Sequence, residues 1–222
     1  MPTVLITGAG RGIGLEFALQ YAAQGWQVIA TVRDAVQAAA LESLGARVEL
    51  LDMRDFAVVA ALPERLGGEP LDLLIANAGV SGPQRIADAA AAQAWQEVHA
   101  VNAVAPTLLA EALLPNVLAA KGKMVAITSQ MGSIADSSGG YHSYRASKAA
   151  LNAAWHNLAL DLAGKPVTLA MFHPGWVQTD MGGPNAPLGM AESVASLRAE
   201  IARLTPADSG AFLNYRGEPL PW

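Results

Sequence analysis

Residues 3–14 read Thr-Val-Leu-Ile-Thr-Gly-Ala-Gly-Arg-Gly-Ile-Gly, an apolar run that leads directly into a glycine-rich turn. Its apolar start predicts a buried β-strand over Thr3–Thr7, and a helix is predicted to follow over Ile13–Gln24. Glycines let the backbone turn tightly and let an anion approach the amides, while a helix N-terminus presents unpaired N–H groups and a positive dipole end. The stretch therefore predicts a strand–turn–helix unit that binds the pyrophosphate of a dinucleotide.

The glycines of this turn follow the spacing Gly8-x-x-x-Gly12-x-Gly14. The spacing Gly-x-Gly-x-x-Gly is not met, because counted from Gly8 its third glycine would fall at Ile13. A plain strand–helix connection without a ligand is the alternative interpretation. The position directly after the first strand favours a dinucleotide, with Gly8, Arg11, Gly12, Ile13 and Gly14 as its contacts.

Short apolar runs alternate with longer segments rich in Ala and Leu along the rest of the chain. Nearly continuous apolar strands are typical of parallel sheets, which are buried on both faces. The alternation predicts an α/β fold in which helices cover both faces of a parallel sheet, as one domain over residues 1–222. The further predicted strands are Gln27–Val32, Arg47–Leu51, Leu71–Ala76, Lys123–Thr128, Val167–Phe172 and a short one near Phe212–Tyr215. The further predicted helices are Ala35–Leu44, Phe56–Leu66, Ala92–Ala119 with Pro106 as a candidate break, Ser143–Ala163 and Ala191–Leu204.

Composition narrows the class of protein, since 52% of the 222 residues are apolar and 15% are charged. The formal net charge is −5 without a basic cluster, so we expect no nucleic-acid partner. No apolar run approaches a membrane span and no secretory signal precedes the first strand, so we expect a cytoplasmic protein and no membrane partner. Cysteine is absent, which excludes disulfides and thiolate chemistry. The histidines at 99, 142, 156 and 173 lack metal-ligand spacing, and we expect no metal.

The residues that end the second strand bear on the choice of dinucleotide. Proteins that bind NAD usually carry an acidic residue about 20 residues after the turn, where it bonds the ribose 2′-hydroxyl. Here that position is Val32, and Arg33 follows it. Together with Arg11, two guanidinium groups are available to clamp a 2′-phosphate, which favours NADP(H) and leaves NAD(H) as the alternative. The alternative is that both arginines are merely solvated. Asp34 could also neutralise Arg33 or cap the next helix.

Tyr144 and Lys148 lie four residues apart at the start of a predicted helix and share one of its faces. A free phenol, with a pKa of about 10, is a poor acid or base at neutral pH. A lysine cation about 4 Å away would lower that pKa by as much as roughly 3 units. The pair therefore predicts general acid–base chemistry at Tyr144, and an ordinary exposed helix pair is the alternative for the spacing alone.

With the motifs around it, this pair resembles the short-chain dehydrogenase/reductase family over essentially the whole chain. The resemblance implies a Rossmann-type doubly wound sheet of about seven strands and an NAD(P)-dependent oxidoreductase. Ile29-Ala30-Thr31-Val32-Arg33 and Leu220-Pro221-Trp222 resemble the branch that contains C-factor-like proteins and short carbonyl reductases. The motif residues are, in chain order, Thr7–Gly14, Asp52 and Met53, Asn77-Ala78-Gly79, Asn102, Ser129, Tyr144 with Lys148, and Pro174-Gly175-Trp176-Val177-Gln178-Thr179.

The resemblance also implies a role for each motif residue. Ser129 would hydrogen-bond the oxygen of a carbonyl or alcohol substrate, and Tyr144 would exchange a proton with that oxygen as hydride moves. Lys148 would bind the nicotinamide ribose, and Asn102 would hold a water on the proton relay. The cofactor would be contacted by Asp52 and Met53 at the adenine, by Asn77, Ala78 and Gly79 beside it, by Tyr144 and Lys148, and by Pro174, Gly175, Val177 and Thr179 at the nicotinamide.

Two departures from the family pattern concern the serine and the tyrosine. The run Gln130–Ser143 is somewhat longer than expected between them, which leaves Ser133 as a rival to Ser129. Tyr141 lies close to Tyr144, but no lysine follows it four residues on.

The segment 180–192, rich in Gly, Pro and Met, predicts a mobile lid over the substrate, together with Trp176. A plain surface connection is the alternative. Because the segment is short, we expect a small or medium carbonyl compound rather than a bulky steroid-like one.

Two functions fit these observations. The first is an NADP(H)-dependent carbonyl reductase, and the second is a dinucleotide-binding regulatory or signalling protein with little turnover on the same fold. The presence of Tyr144, Lys148, Ser129 and Asn102 together favours the enzyme. The family resemblance further implies a homodimer or homotetramer that packs through the helix of Tyr144, where small alanines permit close helix contact.

Overall fold

Seven parallel strands form one sheet in the computed structural model, which describes residues 1–222. The strand order is β3-β2-β1-β4-β5-β6-β7, so the chain reverses its direction of travel across the sheet between β1 and β4. Such a reversal opens a crevice at the carboxyl ends of the two strands. The α/β fold with its Rossmann-type sheet is thereby confirmed. The strands are β1 Thr3–Ile6, β2 Gln27–Val32, β3 Arg47–Leu50, β4 Leu73–Ala76, β5 Lys123–Ile127, β6 Thr168–His173 and β7 Ala211–Asn214.

Helices connect the strands and cover both faces of the sheet. The first, second and last helices pack on one face, and the others pack on the opposite face. Single 3₁₀ turns occur at Ala35–Gln37, Gln130–Gly132 and Pro206–Asp208. The helices are α1 Gly12–Ala23, α2 Ala38–Glu42, α3 Phe56–Ala60, α4 Leu62–Leu66, α5 Ala89–His99, α6 Ala105–Ala112, α7 Leu114–Ala120, α8 His142–Asp161 and α9 Met190–Arg203.

The long helix predicted over Ala92–Ala119 is divided at two places, neither of them Pro106. A π-helical turn at Ala100–Val104 separates α5 from α6, and Leu113 separates α6 from α7. Pro106 lies in the first turn of α6, where its missing N–H has little effect on the hydrogen-bond ladder. The predicted helix Phe56–Leu66 is also divided in two, at Ala61. Pro63 lies in the first turn of the second part, α4, as Pro106 does in α6.

The bent helices of this region also bear on membrane insertion. No single helix is long and apolar enough to cross a membrane, and one bent pair, Ala89–Ala112 with Leu114–Ala120 at 54°, reaches that length and composition.

Alternate side chains of the central strands enter two separate cores. Leu74 of β4 is fully buried in the larger core with Trp155 of α8, while its neighbour Ile75 is fully buried in the smaller core with Phe17 of α1. Residues that follow one another along a strand point to opposite faces, so both cores depend on the register of the central strands. The sheet therefore fixes where the carboxyl ends of β1, β4 and β5 lie.

We expect Leu74→Ala to lower the free energy of unfolding by about 2–5 kcal/mol, because it opens a cavity in a filled core. The exposed Leu50 of β3, at 52% accessibility, provides the matched control. Leu50→Ala should change the free energy of unfolding by less than about 0.5 kcal/mol. Chemical denaturation followed by circular dichroism measures both, and equal losses in the two variants would contradict the assignment of the core.

His173 at the end of β6 makes the stability of the fold sensitive to acid. Burial lowers the pKa of its imidazole from 6.5 to about 4, and its Nδ1 has no hydrogen-bond partner. The folded protein therefore binds fewer protons than the unfolded chain below pH 6.5, so stability falls as the pH drops from 6.5 towards 4. His173→Gln should remove this component. Unfolding titrations between these two pH values should show a steeper loss in the parent than in the variant, and parallel losses would refute the burial effect.

Candidate active site

The ends of β1 and β4 are joined by a side-chain network at the crevice. The Thr7 hydroxyl accepts the backbone N–H groups of Asn77 and Ala78, each at 3.0 Å. The Asn77 amide donates back to the Thr7 carbonyl at 2.9 Å. The glycine turn and the segment Asn77-Ala78-Gly79 therefore lie side by side, as the sequence predicts.

The glycine turn has space only for the glycines it carries. Gly8 and Gly12 adopt φ of +65° and +58°, which side chains disfavour. A Cβ on Gly14 would lie 2.6 Å from the Asn77 amide nitrogen and closer still to the Gly8 carbonyl oxygen. No side chain caps the start of α1, so its first N–H groups are free to meet an anion. Ile13 is half-buried in that first turn.

The two arginines expected to bind a 2′-phosphate have different surroundings. Arg11 forms an ion pair at 2.7 Å with Asp180, and both side chains are exposed. Arg33 is exposed and has no ion-pair partner. Asp34 accepts the N–H of Val36 at 3.0 Å as the cap of the following turn, so its carboxylate caps the helix and leaves Arg33 unpaired.

Gln37 is a neighbour of the glycine turn that the sequence analysis did not single out. A Cβ on Gly10 would lie 2.7 Å from the Gln37 side-chain carbonyl carbon, so this side chain covers Gly10. Gln37 belongs to the 3₁₀ turn that Asp34 caps. Only the way this turn folds over the glycine turn brings the two residues together, and no sequence motif signals it.

Asp52 and Met53 follow β3 at the edge of the crevice. The Asp52 carboxylate accepts three hydrogen bonds from the Arg54 guanidinium, the shortest at 2.6 Å. The hydrogen bonds from Arg54 hold the pKa of Asp52 below its ordinary value. Met53 is buried. The Asp52 carboxylate is thus already paired with Arg54. The predicted adenine contact would therefore use other atoms of Asp52 and Met53.

Asn102 is fully buried inside the π-helical turn between α5 and α6. Its Oδ1 accepts the N–H of Val80 at 2.8 Å, and its Nδ2 donates to the Val80 carbonyl at 2.9 Å and to the Ser147 hydroxyl at 3.0 Å. The side chain therefore connects the segment after β4 to α8. Because both atoms of its amide are engaged with protein, the expected contact with a water needs another atom of this turn.

The hydrogen-bond partners of Ser129 and of its rival Ser133 distinguish the two candidates for the catalytic serine. Ser129 follows β5, its hydroxyl oxygen accepts the N–H of Met131 at 3.1 Å, and the hydroxyl lies within hydrogen-bond reach of the Tyr144 phenol. The Ser133 hydroxyl accepts the N–H of Asp136 at 3.0 Å and donates to a main-chain oxygen of Trp222 at 3.3 Å. Ser133 is thus committed to its own loop and to residue 222, and Ser129 is the serine beside Tyr144.

Tyr144 and Lys148 lie on the face of α8 that borders the crevice. The Lys148 Nζ lies 5.8 Å from the centre of the Tyr144 ring and donates to the Ile127 carbonyl at 2.9 Å. Burial lowers the pKa of Lys148 to about 8. Burial also raises the pKa of Tyr144 above 10.0, and the nearby Ser129 hydroxyl opposes that rise. The predicted lowering by Lys148 is therefore not found, because desolvation dominates at both groups.

The loop after β6 reaches across the crevice to the glycine turn. A Cβ on Gly12 would lie 3.7 Å from the Thr179 methyl group, and Arg11 pairs with Asp180. Val177 is buried and bridges to Leu188 as in a parallel sheet. Pro174 is buried, and its carbonyl accepts the Ser193 hydroxyl at 2.6 Å. Gly175 adopts φ of +87° against the side chains of Leu188 and Tyr215.

The segment 180–192 is tied to this loop by hydrogen bonds. The Trp176 indole donates to the Gly182 carbonyl at 2.8 Å, and the Gln178 amide donates to the Ala186 carbonyl at 2.9 Å. The last three residues of the segment form the first turn of α9, which begins at Met190. No group of three or more His, Asp or Glu side chains is arranged to hold a metal ion.

Asn152 is a site neighbour that sequence reasoning missed. Its Oδ1 accepts the Thr128 hydroxyl at 2.6 Å, and its Nδ2 is buried without a hydrogen-bond partner. A Cβ on Gly132 would lie 2.9 Å from that Nδ2. Asn152 lies one helical turn after Lys148, and this spacing is the signal that would have found it.

The residues present fit a dinucleotide across this crevice. The uncapped start of α1 and the close approach at Gly14 suit a pyrophosphate, and the unpaired Arg33 suits the ribose at one end. Ser129, Tyr144 and Lys148 lie at the other end, beside the loop that starts at Pro174.

Comparisons with known proteins agree with this geometry. A sequence model described as short chain dehydrogenase matches residues 2–187. C-signal of Myxococcus xanthus is 41% identical over 155 residues, covering 69% of this chain and 93% of that protein. The NADPH-bound carbonyl reductase from chicken fatty liver is 34% identical, with a TM-score of 0.90 over 100% of this chain and 99% of that one. The NADP complex of a carbonyl reductase from Pseudomonas aeruginosa PAO1 is 37% identical, with a TM-score of 0.86 over 100% of both chains. The chain belongs to the short-chain dehydrogenase/reductase family.

Proposed function

We propose that this protein is an NADP(H)-dependent carbonyl reductase that acts on small or medium carbonyl and alcohol compounds. The observation that carries the proposal is the buried Lys148 beside the Tyr144 ring, on the same helix face and next to Ser129. A cation without a carboxylate partner is costly to bury, so a purely structural role is a poor reason to keep one there.

Ser129 holds the substrate oxygen in this mechanism. Its hydroxyl oxygen accepts the N–H of Met131, and its hydrogen, which lies beside the Tyr144 phenol, would turn to a substrate oxygen bound next to that phenol. A carbonyl oxygen that accepts this hydrogen is held in one orientation while the reaction proceeds. When bound, the nicotinamide supplies the hydride in reduction or accepts it in oxidation.

Tyr144 donates the proton to the substrate oxygen in the direction of reduction. Burial raises the pKa of its phenol, so the group is protonated at neutral pH and ready to act as an acid. Oxidation of an alcohol requires the phenolate, and that direction should therefore gain as the pH rises.

Lys148 and Asn102 support this proton transfer. Lys148 spends one donor on the Ile127 carbonyl, which leaves two for ribose hydroxyls and for the surroundings of Tyr144. Asn102 holds Val80 and Ser147 in place. We therefore assign it a positioning role in proton transfer, in which it fixes the groups around Lys148. A Cβ on Gly79 would lie 3.4 Å from the Asn102 Oδ1 and 3.6 Å from the Lys148 Nζ, so little space is left between them.

The segment 180–192 acts as the lid in this proposal. Trp176 and Met181 are 58% and 52% exposed on this loop, which offers apolar surface to a substrate at the nicotinamide end. Apolar contact of this extent suits a carbonyl compound of modest size. The Arg11–Asp180 ion pair joins this segment to the glycine turn, so opening of the lid would break that pair.

A dinucleotide-binding signalling protein with little turnover is the second candidate. The 41% identity with C-signal of Myxococcus xanthus favours it, since that name denotes a signal. It requires the same cofactor crevice but no proton transfer at Tyr144. The two candidates therefore differ in a single measurable property, the turnover of a carbonyl substrate.

Tyr144→Phe should lower kcat for carbonyl reduction by about 100-fold or more, because it removes the proton donor and leaves the ring. Its affinity for NADPH should stay close to that of the parent protein. Tyr141→Phe is the matched control, since Tyr141 is exposed and has no lysine one turn on. Steady-state turnover with a panel of carbonyl compounds and fluorescence titration of NADPH measure the two properties. Unchanged turnover in Tyr144→Phe would disprove the mechanism.

The preference for NADP(H) is proposed on the basis of Arg33. It forms no ion pair, although its charge acts on the nearby Asp52, whereas Arg11 is paired with Asp180. The NADPH and NADP complexes of the structural neighbours support this preference. Binding of NAD(H) stays open, because nothing in the crevice excludes it.

Arg33→Ala should weaken NADPH binding about tenfold or more, since a charge-assisted bond to the 2′-phosphate is lost. NADH binding should be unchanged, because NADH has no 2′-phosphate. Arg203→Ala removes an exposed arginine that pairs only with Glu200 and serves as the control. An equal effect of Arg33→Ala on both dinucleotides would argue against the assignment.

Assembly and location remain predictions. A homodimer or homotetramer would bury the apolar surface at Val104 and Leu160, which are 49% and 60% exposed in the region of α6 and α8. We expect the protein to act in the cytoplasm on a small-molecule substrate.

A further inference from the structure

The segment after β7 turns back along that strand and ends beside the loop that follows Ser129. The N–H of Asn214 donates to the Glu218 carbonyl at 2.9 Å, and the N–H of Leu220 donates to the Phe212 carbonyl at 2.9 Å. The chain thus forms a tight hairpin that brings Trp222 back beside Phe212 of β7 and against α8. None of these residues belongs to the motifs that define the crevice.

Trp222 is held at this place by its ring. Its indole meets the His156 imidazole of α8 edge to face, with 4.9 Å between the ring centres, and lies 5.6 Å from the Phe212 ring. His156 is itself fixed, since its Nδ1 lies 3.0 Å from the Gly210 carbonyl oxygen. Aromatic contacts of this geometry stabilise beyond the area that they bury. The ring therefore fixes the backbone of residue 222 relative to α8.

A main-chain oxygen of Trp222 accepts two hydrogen bonds from the Ser129 loop, which we define as residues 129–136. The N–H of Ala135 donates to it at 2.9 Å, and the Ser133 hydroxyl donates to it at 3.3 Å. The Ser133 oxygen also accepts the N–H of Asp136 at 3.0 Å. Two residues of the loop thus donate to a single oxygen outside it, and a third is joined to it through Ser133.

The opposite side of the Ser129 loop rests on α8. A Cβ on Gly132 would lie 2.9 Å from the Lys148 carbonyl carbon and 2.9 Å from the Asn152 Nδ2. The N–H of Gly132 donates to the Ser129 carbonyl at 2.8 Å, and the N–H of Met131 donates to the Ser129 hydroxyl at 3.1 Å. The same few residues therefore connect the hydroxyl of Ser129 with the clamp at Trp222.

We propose that Trp222 is a positioning residue for Ser129: its ring anchors the hairpin to α8, and its main-chain oxygen holds the Ser129 loop against that helix. This inference rests on the proposed function of Ser129, since it concerns the aim of that hydroxyl. Loss of the anchor frees the outer half of the loop, and a displacement of about 1 Å at a reacting group is enough for a large loss of rate. Trp222 touches neither Tyr144 nor the glycine turn, so cofactor binding is independent of it.

Amide hydrogen exchange tests the clamp without any need for turnover. Trp222→Ala in the full chain should speed exchange at residues 133–136 about fivefold, the factor expected when one ordinary hydrogen bond is lost. Exchange in the glycine turn should not change. Trp222→Phe keeps an aromatic ring and should restore slow exchange. Unchanged exchange at residues 133–136 in Trp222→Ala would overturn the proposal.

Kinetics then test the consequence for Ser129. Trp222→Ala should lower kcat/KM for a carbonyl substrate about tenfold with an unchanged affinity for NADPH, and Trp222→Phe should recover most of it. Trp26→Ala is the matched control, because Trp26 meets Tyr21 in the same edge geometry at 4.9 Å before the start of β2. Equal losses of kcat/KM in the Trp222→Ala and Trp26→Ala proteins would show a general loss of stability and refute the positioning role.

A double-variant cycle identifies the route of the effect. Ser133→Ala should add little to Trp222→Ala, because both changes act on the same clamp, whereas independent effects would multiply. Multiplied losses would contradict the proposed route. A parent protein that turns over no carbonyl compound would refute the proposed function and leave the exchange result to decide the clamp by itself.

Discussion

The Thr7 hydroxyl accepts the N–H groups of Asn77 and Ala78, and these two hydrogen bonds join β1 to β4 where the strand order reverses. Both strands are fully buried, so their ends cannot be adjusted without cost to either core. Gly14 packs into the space that this junction leaves, and α1 starts from there. The distance between the glycine turn and the segment after β4 is therefore set by the sheet, and the rest of the crevice is built outward from it.

The reacting end of the crevice depends on α8 in a similar way. Lys148 is buried with one carbonyl partner, Asn152 has an amide nitrogen without a partner, and Tyr141 starts the helix at φ of +50°. Each of these features costs stability, and the large core under α8 offsets the cost. Such destabilising features cluster at functional sites, and here they lie around Tyr144. Burial of these two side chains also raises the pKa of Tyr144 and lowers the pKa of Lys148.

Most of the fold could be predicted from the sequence, because buried parallel strands leave continuous apolar runs and the glycine turn has few other uses. The carboxyl ends of those strands also place Asn77 and Ser129 at one edge of the sheet, and α8 brings Tyr144 beside Ser129. The π-helical turn at Ala100–Val104 could not be predicted, since nothing in its apolar residues separates it from an α-helix. Pro106 suggested a break at the wrong place because a proline in the first turn of a helix is tolerated.

Side-chain partners were the other limit of the sequence. The pairing of Arg11 with Asp180 joins residues far apart in the chain, and the engagement of both atoms of the Asn102 amide depends on how the segment after β4 turns. The lowering of the Tyr144 pKa by Lys148 was expected from spacing alone, whereas burial decides the sign. The role of Trp222 depends on a hairpin whose course only the folded chain reveals.

We propose that this crevice transfers hydride between a nicotinamide and a carbonyl carbon with Tyr144 as the proton donor. An isotope label that follows the hydride tests this proposal. NADPH carrying deuterium at the transferring position of its nicotinamide is incubated with the protein and a panel of carbonyl compounds, and the products are analysed by mass spectrometry. We predict an alcohol that carries deuterium on the former carbonyl carbon, formed by the parent protein and not by Tyr144→Phe. Cofactor binding without deuterium in any product, or equal deuterium transfer by both proteins, would contradict the account.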